Sequence, residues 1–560
     1  MERNENITGA RFIAETLKGY GVTHVFYVDA ILRKTMVDLE ELGIRRVITH
    51  SEKAAAYMAD GYARVSHRPG VCMAQSVGAA NLAAGLQDAY LGLSPVIALT
   101  GKKPPLFQHR NAYQEIEHGP LFAPVTKYNV DVVSLAQLPF LLRQAFREAT
   151  TGAPAPVHLD LLGHSGRPLE AAEGALPVVV EEMFSRYPPF RPEPDDASVE
   201  RAAGAIAAAR RPVIVAGGGV RLSTAAAEVV ALAEKLSTPV ATSVNGKGTI
   251  LDSHPLSVGV VGTYSVRCAN QVVSEADLVI YIGSHTGDQV TNNWTVPPVG
   301  TPVVQIDIDP AEIGRSYAGA IGVVGDAKAA ATKLSNALKA GSADEQWLER
   351  AQMLVSAWRE EIEPLRQSDA VPIRPERLCK ELNDALPEDA VLVADTGYSS
   401  IWTATMVYLN HPGQSYLRAA GSLGWAFPAA LGAKCAVPER PVICFTGDGG
   451  FWYHLSELET ARRHSINTVT IINNNGGFAQ GIPDVHAMYG ERPGNPAELY
   501  AFEPVNFARI AEEMGCSGIR VEDPGEIGAA IRQALAAEGP IVVEVMTGLD
   551  YRAPAPWAPG

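Results

Sequence analysis

The sequence predicts an α/β protein made of three doubly wound parallel-sheet domains. Three observations lead there. The chain has 560 residues, enough for about three domains of ordinary size. Short runs rich in Val, Ile and Leu alternate with Ala-rich helical stretches, the pattern of βαβ units. Many of these runs end in Gly or Asp, at the strand ends where open α/β sheets bind ligands. Apolar residues make up 47% and charged residues 19%, which fits large cores and excludes a disordered chain. A net charge of −16 argues against a general nucleic-acid surface and still allows a local basic pocket.

The six cysteines, Cys72, Cys268, Cys379, Cys435, Cys444 and Cys516, are scattered and form no C-x-x-C pair. They signal neither a zinc site nor a disulfide framework, so buried free thiols in a reducing compartment are expected. The N-terminal segment reads as a polar lead into an amphipathic helix, not a signal peptide. No apolar run is long enough to span a membrane. A cytoplasmic enzyme without membrane or nucleic-acid partners is the expectation.

The first domain is assigned to residues 1–168. Strands are expected at 23–28, 71–74, 96–99 and 157–161, with helices at 53–64 and 79–91 between them. The segment HSEKAAAYMADGYAR (50–64) places Glu52 at the start of a helix, where the helix dipole by itself would favour a carboxylate. Residues 166–192 are rich in Pro and Glu and read as a linker. The central domain, 190–345, contains RPVIVAGGGV, DLVIYIGS and PVVQIDIDP. Its Gly217-Gly218-Gly219 is a weak dinucleotide signal. Asp307 and Asp309 suit a ribose hydroxyl or a capped strand end. Residues 341–370 read as a charged helical linker.

The third domain, 371–548, carries the densest chemistry. An apolar run at 441–445 leads into Thr446-Gly447-Asp448-Gly449-Gly450. A helix follows with Phe451, Leu455 and Leu458 on one face, then a strand at 468–472 ending in Asn473-Asn474-Asn475. A Gly-rich turn frees backbone N–H groups for phosphate oxygens. A carboxylate and a carboxamide are hard oxygen ligands suited to Mg2+. Upstream, Asp395 ends a strand and Gly397, Tyr398 and Ser399 face the same direction in sequence terms. The long Gly/Pro-rich stretch after Asn475 is expected to cover a site, with Gln480, His486 and Glu491 as polar candidates. The tail, 549–560, folds over the cleft or is disordered.

Gly-Asp-Gly followed, after a helix and a strand, by Asn-Asn resembles the diphosphate motif of thiamine diphosphate enzymes. The Glu before A-x-x-A-D-G-Y-A-R resembles their pyrimidine-domain signature. Residues 74–101 and the A-Y-Q-E segment at 112–115 resemble the acetolactate synthase group. The resemblance implies that Asp448, Asn475 and the Gly477 carbonyl hold Mg2+. It implies that Gly397, Tyr398, Ser399, Gly447, Gly449 and Gly450 line the diphosphate, and that Gly421 and Leu423 sit under the aminopyrimidine. Glu52 would hydrogen-bond the aminopyrimidine ring nitrogen, and Gln114 would lie near the substrate. It further implies active sites between subunits of a homodimer or homotetramer.

The sequence departs from that group at Gly283-Ser284-His285-Thr286-Gly287-Asp288-Gln289, where two arginines of a flavin-binding segment are absent. This argues against FAD and leaves ADP or CoA as ligands for the central domain. A Q-W-Q segment is absent as well. The function expected on these grounds is a carbon–carbon lyase cleaving a short or branched 2-hydroxyacyl-CoA to a carbonyl compound and formyl-CoA, with Glu491 or Gln114 handling the 2-hydroxyl proton. The alternative is a flavin-independent 2-oxo acid decarboxylase or carboligase acting on a small molecule.

Overall fold

In the computed structural model, which describes residues 6–341 and 344–559, three six-stranded sheets follow one another along the chain. Every strand pair inside them is parallel. Helices cover both faces, so the inner strands are buried on both sides and read as unbroken apolar runs rather than alternating ones. Pro212–Ala216 and Leu278–Ile282 are buried at every position.

Across the first sheet the strands run Arg45–Ile48, His24–Tyr27, Gly70–Ala74, Val96–Lys102, Val157–Leu162 and Tyr128–Val132. Across the third they run Ser415–Arg418, Val391–Ala394, Val442–Gly447, Val469–Asn474, Ile541–Met546 and Ser517–Val521. Counted in chain order, both sheets have the same arrangement, 2-1-3-4-6-5. The central sheet runs Ser257–Val260, Val240–Thr242, Pro212–Ala216, Leu278–Ile282, Val303–Asp307 and Ile321–Val324, the order 3-2-1-4-5-6 of dinucleotide-binding folds. In each sheet the order reverses between the first strand and the next strand on its other side. Ligands bind outside the carboxyl ends of strands at such a reversal. The loops placed there begin at Val28 and Gln75 in the first domain, at Gly217 and Gly283 in the second, and at Asp395 and Asp448 in the third.

The first and third domains share one apolar core. Helix Glu52–Ser66 crosses helix Ala426–Ala436 at very close range. A Cβ on Gly61 would stand 2.0 Å from the Ala429 carbonyl oxygen, and one on Gly432 would stand 1.8 Å from that of Met58. Small residues are what permit two backbones to approach so closely.

Several expectations need correction. Residues 166–192 are not a plain linker. Helix Arg167–Ala171 is followed by strand Glu173–Ala175, which pairs antiparallel with Asn6–Thr8 and ties the end of the first domain to its beginning. The charged stretch after residue 344 is a 22-residue helix, Glu345–Arg366, that buries Trp347, Ala351, Trp358 and Ile362. These belong to a core spanning the central and third domains, so this helix is a packing element. The segment after Asp448 is broken into Asp448–Phe451, a 3-10 turn Trp452–His454 and helix Glu457–Arg463. Phe451 and Leu458 are buried as expected. The stretch after Asn475 contains helix Ile482–Tyr489. All six cysteines are buried free thiols. Among the described residues, no helix is long and apolar enough to cross a membrane.

Candidate active site

Two groups of predicted residues assemble, each at a topological reversal. The first surrounds Asp395, which lies just past strand Val391–Ala394. Its carboxylate accepts from the Gly424 amide at 2.9 Å, the Thr446 hydroxyl at 3.0 Å and its neighbour Thr396 at 2.9 Å. A Cβ on Gly450 would meet an Asp395 oxygen at 2.3 Å. Asp395 therefore ties together the three loops holding residues 396–399, 421–424 and 446–450. Burial pushes its carboxyl up to about 6, opposed by the Thr396 and Gly424 amides. Sequence reading named Asp395 only as a strand end. Its carboxylate at the end of a fully apolar run was the available signal.

Within this group, Gly397 has φ +69 and ψ −144 and caps helix Tyr398–Met406. That conformation is reserved for glycine. Ser399 is buried, and its hydroxyl faces Gly447. The Gln480 side-chain oxygen lies 3.0 Å from where a Gly397 Cβ would stand. Asp448 is 3% exposed, and burial pushes its carboxyl up to about 6 against the pull of backbone amides at Gly449, Asn475 and Gly477. Asn475 is half-buried, with its carboxamide oxygen accepting from the Gly477 amide at 3.2 Å. Asn474, by contrast, is buried and structural, donating to Glu544 at 2.7 Å. A cleft of about 450 Å3 opens beside Asp448, Asn475, Trp452 and Phe502.

Gly421 and Leu423 sit on a loop set by Asp88, a residue that sequence reading missed. The Asp88 carboxylate accepts from the amides of Ala420 at 2.7 Å, Gly421 at 3.2 Å and Ser422 at 3.0 Å. The Gly421 amide is therefore engaged within the protein, and its carbonyl is the group left to face a ligand. Asp88 stands fully buried on the otherwise apolar face of helix Ala79–Leu91, and an acid in that position was the readable sign.

The second group lies in the first domain. Glu52 opens helix Glu52–Ser66 and is half-buried in the single chain. Asn81 donates to its carboxylate at 3.1 Å. Gly78 has no room for a side chain, because a Cβ would meet the Glu52 carboxylate at 2.4 Å. Gln114 approaches the same turn. Its backbone carbonyl accepts from the Ser76 hydroxyl, its φ is +59, and its carboxamide oxygen is buried without a partner among the described residues. That orphaned acceptor favours a ligand-facing role over a surface amide.

Glu491 is not brought to either group. It is exposed and makes no hydrogen bond or ion pair among the described residues. His486 is occupied with the Tyr500 hydroxyl at 3.1 Å. The described residues of the tail contact the central and third domains. Asn270 donates to the Trp557 carbonyl at 2.8 Å, and Arg374 stacks over Tyr551 at 4.3 Å. The tail passes Tyr398, whose hydroxyl faces Arg552 and the Ala553 amide.

In the central domain the glycine triplet serves backbone packing. A Cβ on Gly217 would meet the Gly283 carbonyl oxygen at 2.0 Å. Asp307 accepts from the Asp309 amide at 3.0 Å and Asp309 from Ala311 at 2.9 Å, the capped strand end. A cleft of about 560 Å3 remains between the three domains, lined by Arg64, Arg221, Asn245, His285, Gln289 and Arg418.

The donor set fits the expected group. Asp448, Asn475 and Gly477 offer carboxylate, carboxamide and carbonyl oxygens, a hard set for Mg2+. A buried carboxylate with no cationic side chain paired to it among the described residues wants such an ion. Residues 7–121 match the thiamine pyrophosphate enzyme N-terminal TPP binding domain, 199–334 the central domain, and 395–545 the C-terminal TPP binding domain. Thiamine pyrophosphate is thiamine diphosphate, so fold and site define a thiamine diphosphate enzyme. A probable acetolactate synthase large subunit of Methanocaldococcus jannaschii is 35% identical over 96% of this chain and 91% of its own. An acetolactate synthase of Mycobacterium bovis is 31% identical over 98% and 89%, and an acetolactate synthase isozyme 1 large subunit of Escherichia coli 30% over 97% and 94%. The chain belongs to the acetolactate synthase-like family of thiamine diphosphate enzymes.

Proposed function

We propose that this protein is a flavin-independent carboligase acting on a 2-oxo acid, with pyruvate as the first substrate to test. The observation that carries the reading is full-length similarity to proteins named acetolactate synthase, in a chain that keeps Glu52, Asp448, Asn475 and Gly477 in place. This favours the alternative over the 2-hydroxyacyl-CoA lyase. The lyase reading drew on missing motifs, on a long cover and tail suited to a large substrate, and on Glu491 or Gln114 as the group handling the hydroxyl proton; of these two, Glu491 stands in solvent.

Asp448, Asn475 and the Gly477 carbonyl would hold Mg2+, and residues 397–399 and 447–450 would cradle the diphosphate. Bound there, thiamine diphosphate supplies a nucleophilic carbon and an acceptor for the electron pair of a broken carbon–carbon bond. Glu52 holds a proton at the aminopyrimidine ring nitrogen. Gln114 presents its free carboxamide oxygen to substrate, and the Gly421 carbonyl accepts from the ring amino group. Completion of the site from Glu52 of one copy and the diphosphate loops of another makes the working form a homodimer or a dimer of dimers.

FAD independence rests on the two arginines absent from residues 283–289. The glycine triplet is accounted for by backbone packing, and Gln289 is engaged by Arg418. Arg221 and Arg418 line the cleft and pair with no carboxylate among the described residues, being hydrogen-bonded to the Tyr416 carbonyl and to Asn245 and Gln289. That chemistry suits the phosphates of ADP or of the nucleotide part of CoA.

The test is product analysis of purified protein with Mg2+ and thiamine diphosphate, without FAD. Carbon dioxide and acetolactate from pyruvate are expected. Acetone and formyl-CoA from 2-hydroxyisobutyryl-CoA, with no turnover of pyruvate, would reverse the order of the two readings.

A further inference from the structure

Beneath the turn Ser76–Gly78 lies a buried polar cluster that the proposed reaction does not use. His118 is 2% exposed, Asp160 1% and His158 0%. His118 Nδ1 lies 3.0 Å from an Asp160 carboxylate oxygen, and its Nε2 lies 2.9 Å from the Ser76 carbonyl. The Thr100 hydroxyl stands 2.9 Å from the same Asp160 oxygen and 2.6 Å from His158 Nε2. His158 Nδ1 meets the Asn129 carboxamide oxygen at 2.8 Å. Asn129 Nδ2 donates to the Gly119 carbonyl at 2.7 Å, which fixes the orientation of that amide. His118, His158 and Asp160 lie close enough to one another to suggest a cation site. Their ring nitrogens and one Asp160 oxygen are already hydrogen-bonded within the protein, while the other Asp160 oxygen is buried without a partner among the described residues.

The proton count is constrained. A carbonyl only accepts, so His118 Nε2 carries a proton. Asn129 presents an oxygen, so His158 Nδ1 carries one too. Burial drives His158 well below the ordinary imidazole range. It is therefore neutral. The single Thr100 proton has two acceptors in reach: the Thr100 hydroxyl donates to the Asp160 carboxylate at 2.9 Å and also stands 2.6 Å from His158 Nε2. The same Asp160 oxygen also faces His118 Nδ1 at 3.0 Å, while the His118 Nε2–H stays on the Ser76 carbonyl.

The turn held in this way abuts both predicted groups of the first domain. Ser76 donates to the Gln114 carbonyl and holds Gln114 in its left-handed conformation. Two residues on, Gly78 packs against the Glu52 carboxylate.

We propose that His118, braced by Asp160, is a positioning residue: its Nε2–H fixes the Ser76 carbonyl, and Ser76 in turn fixes Gln114 so that its carboxamide oxygen is free for substrate. The role of Gln114 rests on the carboligase reading; the clamp itself does not.

The test uses the geometry of side-chain amides. A Gln amide at position 118 reaches where Nε2 stands, and an Asn amide where Nδ1 stands. In full-length His118→Gln, hydrogen exchange of backbone 75–79 and 113–116 stays near wild type. In His118→Asn, exchange there rises about tenfold and kcat on pyruvate falls about tenfold, the loss of one buried hydrogen bond, while thiamine diphosphate affinity is unchanged. If the two variants both fold and show the same exchange, the clamp is refuted. Should both fail to fold, Ser76→Ala decides: faster exchange confined to 113–116 supports the chain of contacts, and unchanged exchange overturns it. Absence of pyruvate turnover in the wild-type enzyme counts against the carboligase reading alone, because the exchange comparison needs no substrate.

Discussion

At the scale of the residue, the two carboxylates carry opposite demands. In the proposed mechanism Glu52 must hold a proton at a ligand nitrogen, and Asp448 must be ionised to hold a cation. Replacing Glu52 by Gln keeps the shape and removes the titrating group. Turnover should fall at least about 100-fold, while cofactor affinity, read by fluorescence titration, changes little. For Asp448 the sign of the pH dependence follows from burial, which raises its carboxyl from 3.8 to about 6 in the metal-free fold. Between those values the folded state binds more protons than the unfolded chain. The penalty for the buried charge is therefore present above about pH 6 and is relieved as pH falls. Asp448's own contribution to the stability of metal-free protein should become less unfavourable on going from pH 7.5 to pH 5, read as a shrinking stability gap between Asp448→Asn and wild type. Mg2+ competes with that same proton, so its apparent affinity should weaken steadily below pH 6, as calorimetric titration at several pH values will show. Asp448→Asn should melt higher than wild type without metal and should lose the stabilisation by Mg2+ and thiamine diphosphate. Glu52 and Asp448 were legible from their neighbours in sequence. Asp88 and Asp395 stand out in sequence only as acids in apolar settings; their roles, like that of Ser76, consist of bonds to segments far away in the chain.

At the scale of the element, the crossing of helices Glu52–Ser66 and Ala426–Ala436 places the first-domain site at a fixed distance from the third domain. Gly432→Ala drives a methyl group into the Met58 carbonyl, and Gly61→Ala does the same at Ala429. Each should cost about 1–3 kcal/mol, measured as a shift in the denaturant midpoint. Both helices were readable as Ala-rich, apolar-faced segments. That they pack against each other was not, since small residues on a helix suit any close partner. The stretches read as linkers show the complementary error. Glu345–Arg366 is charged on its outer face, so its composition concealed a buried line of Trp347, Ala351, Trp358 and Ile362. Residues 166–192 hid a strand, Glu173–Ala175, whose partner lies at Asn6–Thr8, a pairing without a local signal.

At the scale of the whole molecule, the reading of sites shared between subunits makes a quantitative prediction. Glu52→Gln and Asp448→Asn chains, each inactive alone, are mixed and allowed to reassort. Half of the dimers are then mixed, and each of these has one intact site of two, so about one quarter of wild-type activity returns. If each site lies within a single chain, mixing restores nothing.

The sequence by itself determined the sheets and the Gly-Asp-Gly loop proposed to hold the metal and diphosphate. Buried parallel strands must be continuous apolar runs, and a diphosphate loop must pair glycines with hard oxygen donors at a fixed spacing. Both are local requirements, and local requirements are written in contiguous residues. Only the tertiary structure decided which loops meet. It decided that Asp395 gathers three of them, that Asp88 sets the 420–422 loop, and that Gln114 rather than Glu491 approaches the Glu52 side. These depend on strand order and helix crossing, where the energy of a contact belongs to two distant segments and neither one alone encodes it.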